Sequence, residues 1–95
     1  MNLMGTFSKN PNPILRAGKD GTIIFANSAA SPLLEKWKSH KGEKFPPDIV
    51  DVVQKALLKK SPELLELSAG ERTYSFSFHP FPEEACVNLY GFDIT

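Results

Sequence analysis

The residues with the most obvious capacity for chemistry lie close together near the end of the chain. Ser75, Ser77 and His79 alternate along one strand-like segment, and Cys86 follows a proline-rich stretch. Serine or cysteine beside histidine forms an activated nucleophile when the base lies within hydrogen-bond reach. Residues i and i+2 of a strand stand about 7 Å apart, which predicts no direct Ser–His bond, and no third group is placed to orient the imidazole. We therefore expect a solvent-facing or interface-facing strand here.

Other catalytic or metal-binding patterns are missing from the sequence. Glu83 and Glu84 are neighbours in a predicted loop, and Asp48 and Asp51 lie at the start of a predicted helix, so no carboxylate pair converges. A single cysteine excludes an internal disulfide and a multi-cysteine zinc site. There is no glycine-rich phosphate loop and no metal-ligand spacing. These observations predict a domain that is not an enzyme and holds no metal.

Arginine occurs at two positions only, Arg16 and Arg72, and both lie in predicted strands. A guanidinium group can bind a carboxylate through two parallel hydrogen bonds. The expected role of each arginine is nevertheless an ion pair at the surface.

Composition places the chain among ordinary soluble domains. It has 95 residues, of which 41% are hydrophobic and 23% charged, and 11 basic residues balance 11 acidic ones. This excludes a disordered segment, a membrane-inserted segment and a basic nucleic-acid-binding domain. A domain of this size buries only about 60% of the surface of its unfolded chain, so docking onto a partner or a second copy is a reasonable expectation.

Hydrophobic periodicity outlines the elements that position these residues. We expect a cap or tail over residues 1–10 and one domain over residues 11–95. Within it, strands are predicted at residues 14–17 and 22–26, joined by an Asp-Gly turn, followed by a short helix over residues 29–37. A longer helix is predicted over residues 48–60 from an apolar stripe at helical spacing: Ile49, Val52, Val53, Ala56 and Leu57.

Three more strands are predicted, at residues 64–68, 72–79 and 86–94. If residues 80–85 form the loop of the last hairpin, His79 faces Cys86 and Tyr74 faces Gly91. This register places five apolar side chains on one face: Tyr74, Phe76, Phe78, Val87 and Leu89. Gly91 then leaves a gap that an aromatic ring or a ligand can fill.

The order of elements and two short segments resemble a PAS domain. Residues 12–14 read Asn-Pro-Ile, and residues 19–27 carry Asp-Gly, an apolar run and a final Asn27, which is similar to the family's opening. Residues 91–95 end in Asp-Ile-Thr, similar to its closing strand. The resemblance implies an α+β fold, with a five-stranded antiparallel sheet in the order 2-1-5-4-3 and helices packed on one face. It also implies a pocket between helices and sheet for a cofactor or metabolite.

The cofactor is not identified by the resemblance, although two cofactors are disfavoured. Haem-binding members use an axial histidine, usually on the long helix, and residues 48–60 contain none. His40 lies in a charged loop and His79 on the face opposite the aromatic core. Covalent flavin chemistry needs a cysteine on a helix within a glutamine-containing motif, whereas Cys86 begins the last predicted strand.

The resemblance implies a sensory or regulatory domain of a signalling protein, with a sensor histidine kinase as the expected parent. We expect a cytoplasmic homodimer that signals through Asp93, Ile94 and Thr95 to a C-terminal effector module. The candidate pocket residues are Phe25, Phe45, Ile49, Val53, Leu57, Tyr74, Phe76, Phe78, Leu89 and Gly91. One alternative is a ligand-free dimerisation module that buries a face with Cys86, Asn88, Tyr90 and Phe92. Another, less favoured, is a small enzyme that uses His79 and Cys86.

Overall fold

A computed structural model describes residues 11–95 of the chain. These residues form five strands, two α-helices and two short 3-10 helices. In chain order the elements are β1 (Ile14–Gly18), β2 (Ile23–Ala26), a 3-10 helix (Ser28–Ala30), α1 (Ser31–Trp37), α2 (Pro47–Lys59), β3 (Glu63–Ala69), β4 (Arg72–Phe81), a second 3-10 helix (Pro82–Glu84) and β5 (Cys86–Asp93). The strands form one antiparallel sheet in the order β2-β1-β5-β4-β3. The predicted α+β architecture and strand order are therefore confirmed. The predicted cap or tail over residues 1–10 lies outside the described residues.

Helix α2 covers the sheet with its predicted apolar stripe. Ile49, Val53 and Ala56 are buried, while Val52 and Leu57 pack half-buried at the edge of the same cluster. Pro47 occupies the first turn, where its missing N–H costs no hydrogen bond. The helix packs mainly on β4 and also contacts β5 and β3, which places the stripe over the half of the sheet that ends at β3.

Each strand of the sheet has an inner face, turned toward α2, and an outer face. Fully buried side chains of β1, β4 and β5 fill the inner face, namely Leu15, Ala17, Phe76, Phe78, Val87 and Leu89. Leu65 and Leu67 of β3 pack against the same cluster. The phenylalanine row of β4 is thus buried beneath the α2 stripe, as the alternation in the sequence predicts.

A β-bulge in β2 changes the face on which Phe25 lies. Arg16 pairs with Phe25 but the next residue, Ala17, pairs with Ile23, so Ile24 is left over between them. Paired residues of antiparallel strands share a face, which puts Phe25 beside Arg16 on the outer face. The prediction of Phe25 as an inner pocket residue is wrong, because the bulge interrupts the regular alternation after Ile23.

The free edge of β2 is covered by the connection between the two helices. The Ile23 amide donates to the Glu43 carbonyl at 2.7 Å, and the Gly42 amide donates to the Ile23 carbonyl at 2.8 Å. Gly21 completes this corner, because a Cβ atom there would lie 2.5 Å from a Val50 methyl group and its φ is +87°. The Asp-Gly turn therefore permits close contact between the β1–β2 hairpin and α2.

The β4–β5 hairpin has the predicted faces but a different register. Phe78 pairs with Leu89, Phe76 with Gly91, and His79 with Asn88, which differs by two residues from the predicted pairing. Strand β4 continues through Pro80 and Phe81, and the loop is the 3-10 helix Pro82–Glu84 plus Ala85. A proline is tolerated there because β4 no longer pairs with β3 beyond Phe78.

None of the helices within residues 11–95 combines the length and the hydropathy needed to cross a bilayer.

Candidate functional site

The predicted pocket residues, apart from Phe25, come together between α2 and the inner face. They are Phe45, Ile49, Val53, Leu57, Tyr74, Phe76, Phe78, Leu89 and Gly91. Phe45 closes one end of this cluster, where its ring meets Trp37 edge-on with centroids 5.6 Å apart. Nine of the ten candidate pocket residues thus lie in the interior of the domain, and their role as a ligand pocket stays a prediction.

Phe76 fills the gap that the sequence predicted opposite Gly91. A Cβ atom on Gly91 would lie 2.7 Å from Cζ of the Phe76 ring, closer than a real Cβ atom approaches. Phe76, Phe78 and Val53 have no exposed surface. Within residues 11–95, one surface depression lies at Lys60 and the β4–β5 loop, and another along α1 and the segment after it. Neither is lined by a predicted pocket residue.

The outer face carries a hydrogen-bonded polar network at its centre. Arg16 Nε donates to Asn88 Oδ1 at 2.8 Å, and Asn88 Nδ2 donates to Tyr90 Oη at 2.9 Å. The rings of His79 and Tyr90 meet edge to face, with centroids 5.3 Å apart. The network spans three adjacent strands, because Arg16 pairs with Asn88 and Asn88 pairs with His79.

The sequence places Asn88 only on the face of the alternative dimerisation module, and it does not predict the hydrogen bonds of Asn88 to Arg16 and Tyr90. Asn88 is 5% exposed, which is unusual for an asparagine, yet both polar atoms of its amide group have a hydrogen-bond partner, Arg16 at Oδ1 and Tyr90 at Nδ2. Its position between Val87 and Leu89 in an apolar strand was the available signal. A polar residue at the centre of a buried strand requires hydrogen-bond partners, so it indicates a network.

The predicted nucleophile geometry is wrong in two respects. His79 Nε2 lies 3.2 Å from Ser77 Oγ, so the two side chains do meet even though their backbones are two residues apart. The 7 Å estimate applies to the backbone, whereas side chains on one face can lean toward each other. His79 does not face Cys86, which pairs with Phe81 instead.

These residues do not assemble a catalytic triad. Among residues 11–95, no group hydrogen-bonds the second ring nitrogen of His79 to orient the imidazole. Cys86 is buried, and burial raises the pKa of its thiol, with Arg16 opposing and Glu84 reinforcing the shift. A protonated, buried thiol is a poor nucleophile. Nor do His, Cys, Asp and Glu side chains cluster in groups of three that could hold a metal ion anywhere in residues 11–95.

The predicted output residues Asp93, Ile94 and Thr95 lie beside the start of β4. The Asp93 carboxylate forms an ion pair with Arg72 and accepts the Thr95 N–H at 3.0 Å. The Thr73 amide donates to Thr95 Oγ1, and the Ile94 amide donates to the Thr73 carbonyl, each at 2.8 Å. Hydrogen bonds from Thr95, followed by the Arg72 guanidinium, lower the pKa of Asp93. We call the five residues joined by these contacts the C-terminal clamp: Arg72, Thr73, Asp93, Ile94 and Thr95.

Large apolar side chains are exposed on the outer face around the polar network. Phe92 is 64% exposed and Leu64 77% exposed, and they pair with Ser75 and Ser77. Ile24, 41% exposed, lies beside Gly18. Exposed apolar residues around a polar centre are typical of an interaction surface.

Comparison with known proteins finds similarity in structure and not in sequence. No family model matches the chain, and no curated protein matches it. Among solved structures, the PAS domain of an HTR-like protein from Haloarcula marismortui is 16% identical with a TM-score of 0.63, and the match covers 97% of this chain and 88% of that one.

Two other solved structures extend the comparison. The phage VqmA–DPO complex is 17% identical with a TM-score of 0.80, over 98% of this chain and 51% of that one. A domain of a sensory box sensor histidine kinase/response regulator from Geobacter sulfurreducens is 12% identical with a TM-score of 0.52, over 93% and 89%. With its strand order and with helices packed on one face of the sheet, the chain has the fold of a PAS domain.

Proposed function

We propose that the chain is a regulatory domain of a signal-transduction protein, without catalytic activity of its own. It relays a change in the packing of α2 on the sheet to the C-terminal clamp, and from there to an effector module of the same polypeptide. The fold it shares with a domain of a sensor histidine kinase supports this assignment, and such a kinase is the parent that we propose. A cytoplasmic location remains a prediction.

The pairing of Tyr74 with Asp93 is the observation that carries the proposal. Tyr74 is buried on the inner face beneath α2. Its partner Asp93 forms an ion pair with Arg72 and accepts a hydrogen bond from the Thr95 amide. The neighbouring Thr73 bonds both Ile94 and Thr95. A shift of β4 under α2 therefore acts directly on the clamp, because no intervening element separates the core from the last residues.

The proposed input is a protein contact on the outer face, with no small molecule held between α2 and the sheet. The Phe76 ring already occupies the space over Gly91, and a molecule bound there must displace it. The outer face instead presents Phe92, Leu64 and Ile24 to solvent. An effector can shift the relay only by the difference between its affinities for the two packing states. Homodimerisation of the domain remains a prediction.

The relay is tested by perturbing the core and measuring the clamp. Phe76→Leu shortens a fully buried side chain, and Leu64→Ala, at an exposed position of β3, is the matched control. We expect Phe76→Leu, and not Leu64→Ala, to change the NMR shifts of the Ile94 and Thr95 amides and to speed hydrogen exchange at Ile94. A folded Phe76→Leu variant with unchanged Ile94 and Thr95 amides would contradict the relay.

The absence of an internal ligand has its own test. Native mass spectrometry of the chain purified from cells without refolding is expected to show the mass of the polypeptide alone. A stoichiometric small molecule that dissociates on denaturation would overturn the ligand-free mode. In that case the relay itself would stand, with the ligand as its input.

A further inference from the structure

The two arginines have opposite electrostatic situations. Arg72 is paired with Asp93 in the C-terminal clamp. Arg16 has no carboxylate within ion-pair distance among the residues described, 11–95, although it is half-buried. A guanidinium group that is partly removed from water and lacks a counter-charge is unusual, because the charge is costly to desolvate unless it is compensated.

The polar network holds the Arg16 side chain in one orientation. Nε is occupied by Asn88 Oδ1 at 2.8 Å, and Asn88 is itself held by Tyr90 Oη at 2.9 Å. Asn88 is only 5% exposed, so the group that orients Arg16 is itself shielded from water. The two terminal nitrogens of the guanidinium group are left to bind a group from outside residues 11–95. Arg16 lies on β1, which has β2 on one side and β5 on the other. Such preorganisation lowers the entropic cost of binding.

The chemistry of this position favours a single carboxylate. A planar guanidinium group binds a carboxylate through charge-assisted hydrogen bonds with matched geometry. Arg16 offers one positive charge, which matches a singly charged carboxylate and leaves a doubly charged phosphate only half compensated. Ile24 and Phe92 are exposed on the same face, where they can contact apolar residues that flank the acidic residue of a bound peptide.

The carboxylate cannot come from the first ten residues of the chain, which contain no aspartate or glutamate. We propose that Arg16, oriented by Asn88, is the anchor of a carboxylate-binding site on the outer face, which takes an aspartate or glutamate side chain of a partner polypeptide. This inference rests on the proposed function, since it specifies the partner that would act on the regulatory domain.

The two arginines make the test internally controlled. In the full chain only Arg16 and Arg72 contribute Nε–Hε signals to an NMR spectrum. Titration with sodium acetate at constant ionic strength, balanced by sodium chloride, is expected to move the Arg16 signal in a saturating manner. The Arg72 signal should stay in place because its carboxylate partner is already bound. Equal movement of both signals, or of neither, would overturn the site.

A pair of peptides tests the partner class. The first, acetyl-Ser-Leu-Glu-Leu-Ser-amide, presents a glutamate between apolar residues, and the second carries glutamine in its place. We expect the glutamate peptide to bind more tightly than acetate and about tenfold more tightly than the glutamine peptide. Arg16→Lys should abolish this preference and Arg72→Lys should preserve it. Equal binding of the two peptides, or glutamate binding no tighter than acetate, would overturn the polypeptide partner.

Self-association is the remaining outcome. If the Arg16 signal moves with protein concentration alone and sedimentation shows a dimer, the face belongs to a second copy and the partner proposal is overturned. Failure of the core-to-clamp relay does not affect the Arg16 titration, so the two proposals fail separately.

Discussion

The Phe76 ring lies against the backbone of Gly91 on the adjacent strand, so close that a Cβ atom at residue 91 would stand 2.7 Å from Cζ of the ring. Glycine is required here by the ring and not by the backbone, since Gly91 does not adopt a positive φ. The contact closes the interior of the sheet at the position where a bound molecule would otherwise have room.

Substitution of Gly91 by alanine is expected to destabilise the domain. The added methyl group overlaps a buried ring with no free space, and overpacking of this kind costs about 1–3 kcal/mol. Gly18→Ala is the matched control, because that glycine also lies in a strand and its nearest neighbours are the flexible ends of Asp20 and Ile24. Urea unfolding monitored by circular dichroism measures both variants. Equal midpoints would show that the ring yields easily and that the interior is less tightly closed.

Asn27 is expected to be a stabilising residue through both ends of its amide group. Its Oδ1 accepts the Ile14 amide at 2.9 Å and its Nδ2 donates to the Asn12 carbonyl at 2.8 Å, in a buried position. Asn27→Ala leaves the buried Ile14 N–H without this acceptor, which costs about 1–3 kcal/mol. Gln54→Ala, at an exposed position on α2, is the control. A thermal midpoint for Asn27→Ala that matches the control would contradict the bridging role.

The C-terminal clamp is expected to lose stability in acid. The pKa of Asp93 is lowered in the folded domain, by Thr95 first and Arg72 next, below the value of about 3.9 typical of an unfolded chain. Its contribution is therefore complete above about pH 4 and disappears as the pH falls through the folded pKa.

The clamp is tested by comparing the wild type with Asp93→Asn across pH. The variant should be less stable at neutral pH, and the two unfolding curves should converge in acid, where the wild-type carboxyl group is protonated. Hydrogen exchange at Ile94 reports the clamp itself, because that amide is bonded to Thr73. A difference between the proteins that is constant from pH 7 to pH 2 would show that ionisation of Asp93 plays no part.

Cys86 is expected to react slowly with thiol reagents in the folded domain. It is 4% exposed, and burial raises the pKa of its thiol above the ordinary value, so the thiolate is scarce at neutral pH. The rate of alkylation by iodoacetamide, followed by mass spectrometry, should rise by about a hundredfold or more in concentrated urea, where burial is lost. As the only cysteine, it gives an unambiguous signal. Similar rates in folded and unfolded protein would contradict its burial.

Much of the fold follows from local patterns in the sequence. The i, i+3, i+4 spacing from Ile49 to Leu57 predicts which side of α2 is buried, and the alternation through Tyr74, Phe76 and Phe78 predicts the inner face of β4. Both predictions hold because one-sided burial is the main way a small domain removes apolar surface from water. The resemblance to PAS domains predicted the strand order on the basis of two short segments, and that order is confirmed.

The alternation could not determine the register of the last hairpin. A shift of two residues leaves every side chain of β4 on the same face, so the predicted pairing of Tyr74 with Gly91 and the observed pairing of Phe76 with Gly91 satisfy the pattern equally. The choice depends on the loop, where Ala85 adopts a left-handed conformation with φ of 54°. Glycine usually marks such a position in a sequence, and alanine does not.

Local sequence patterns therefore predict the elements, their buried faces and the aromatic interior, because each depends on residues close together along the chain. The contacts on which the two proposals depend are tertiary ones: Phe76 over Gly91, Arg16 held by Asn88, and Asp93 bonded to Arg72. Each joins strands that are neighbours in space but distant in sequence. The bulge that turned Phe25 outward likewise arises from pairing between β1 and β2 and has no signature in either strand alone.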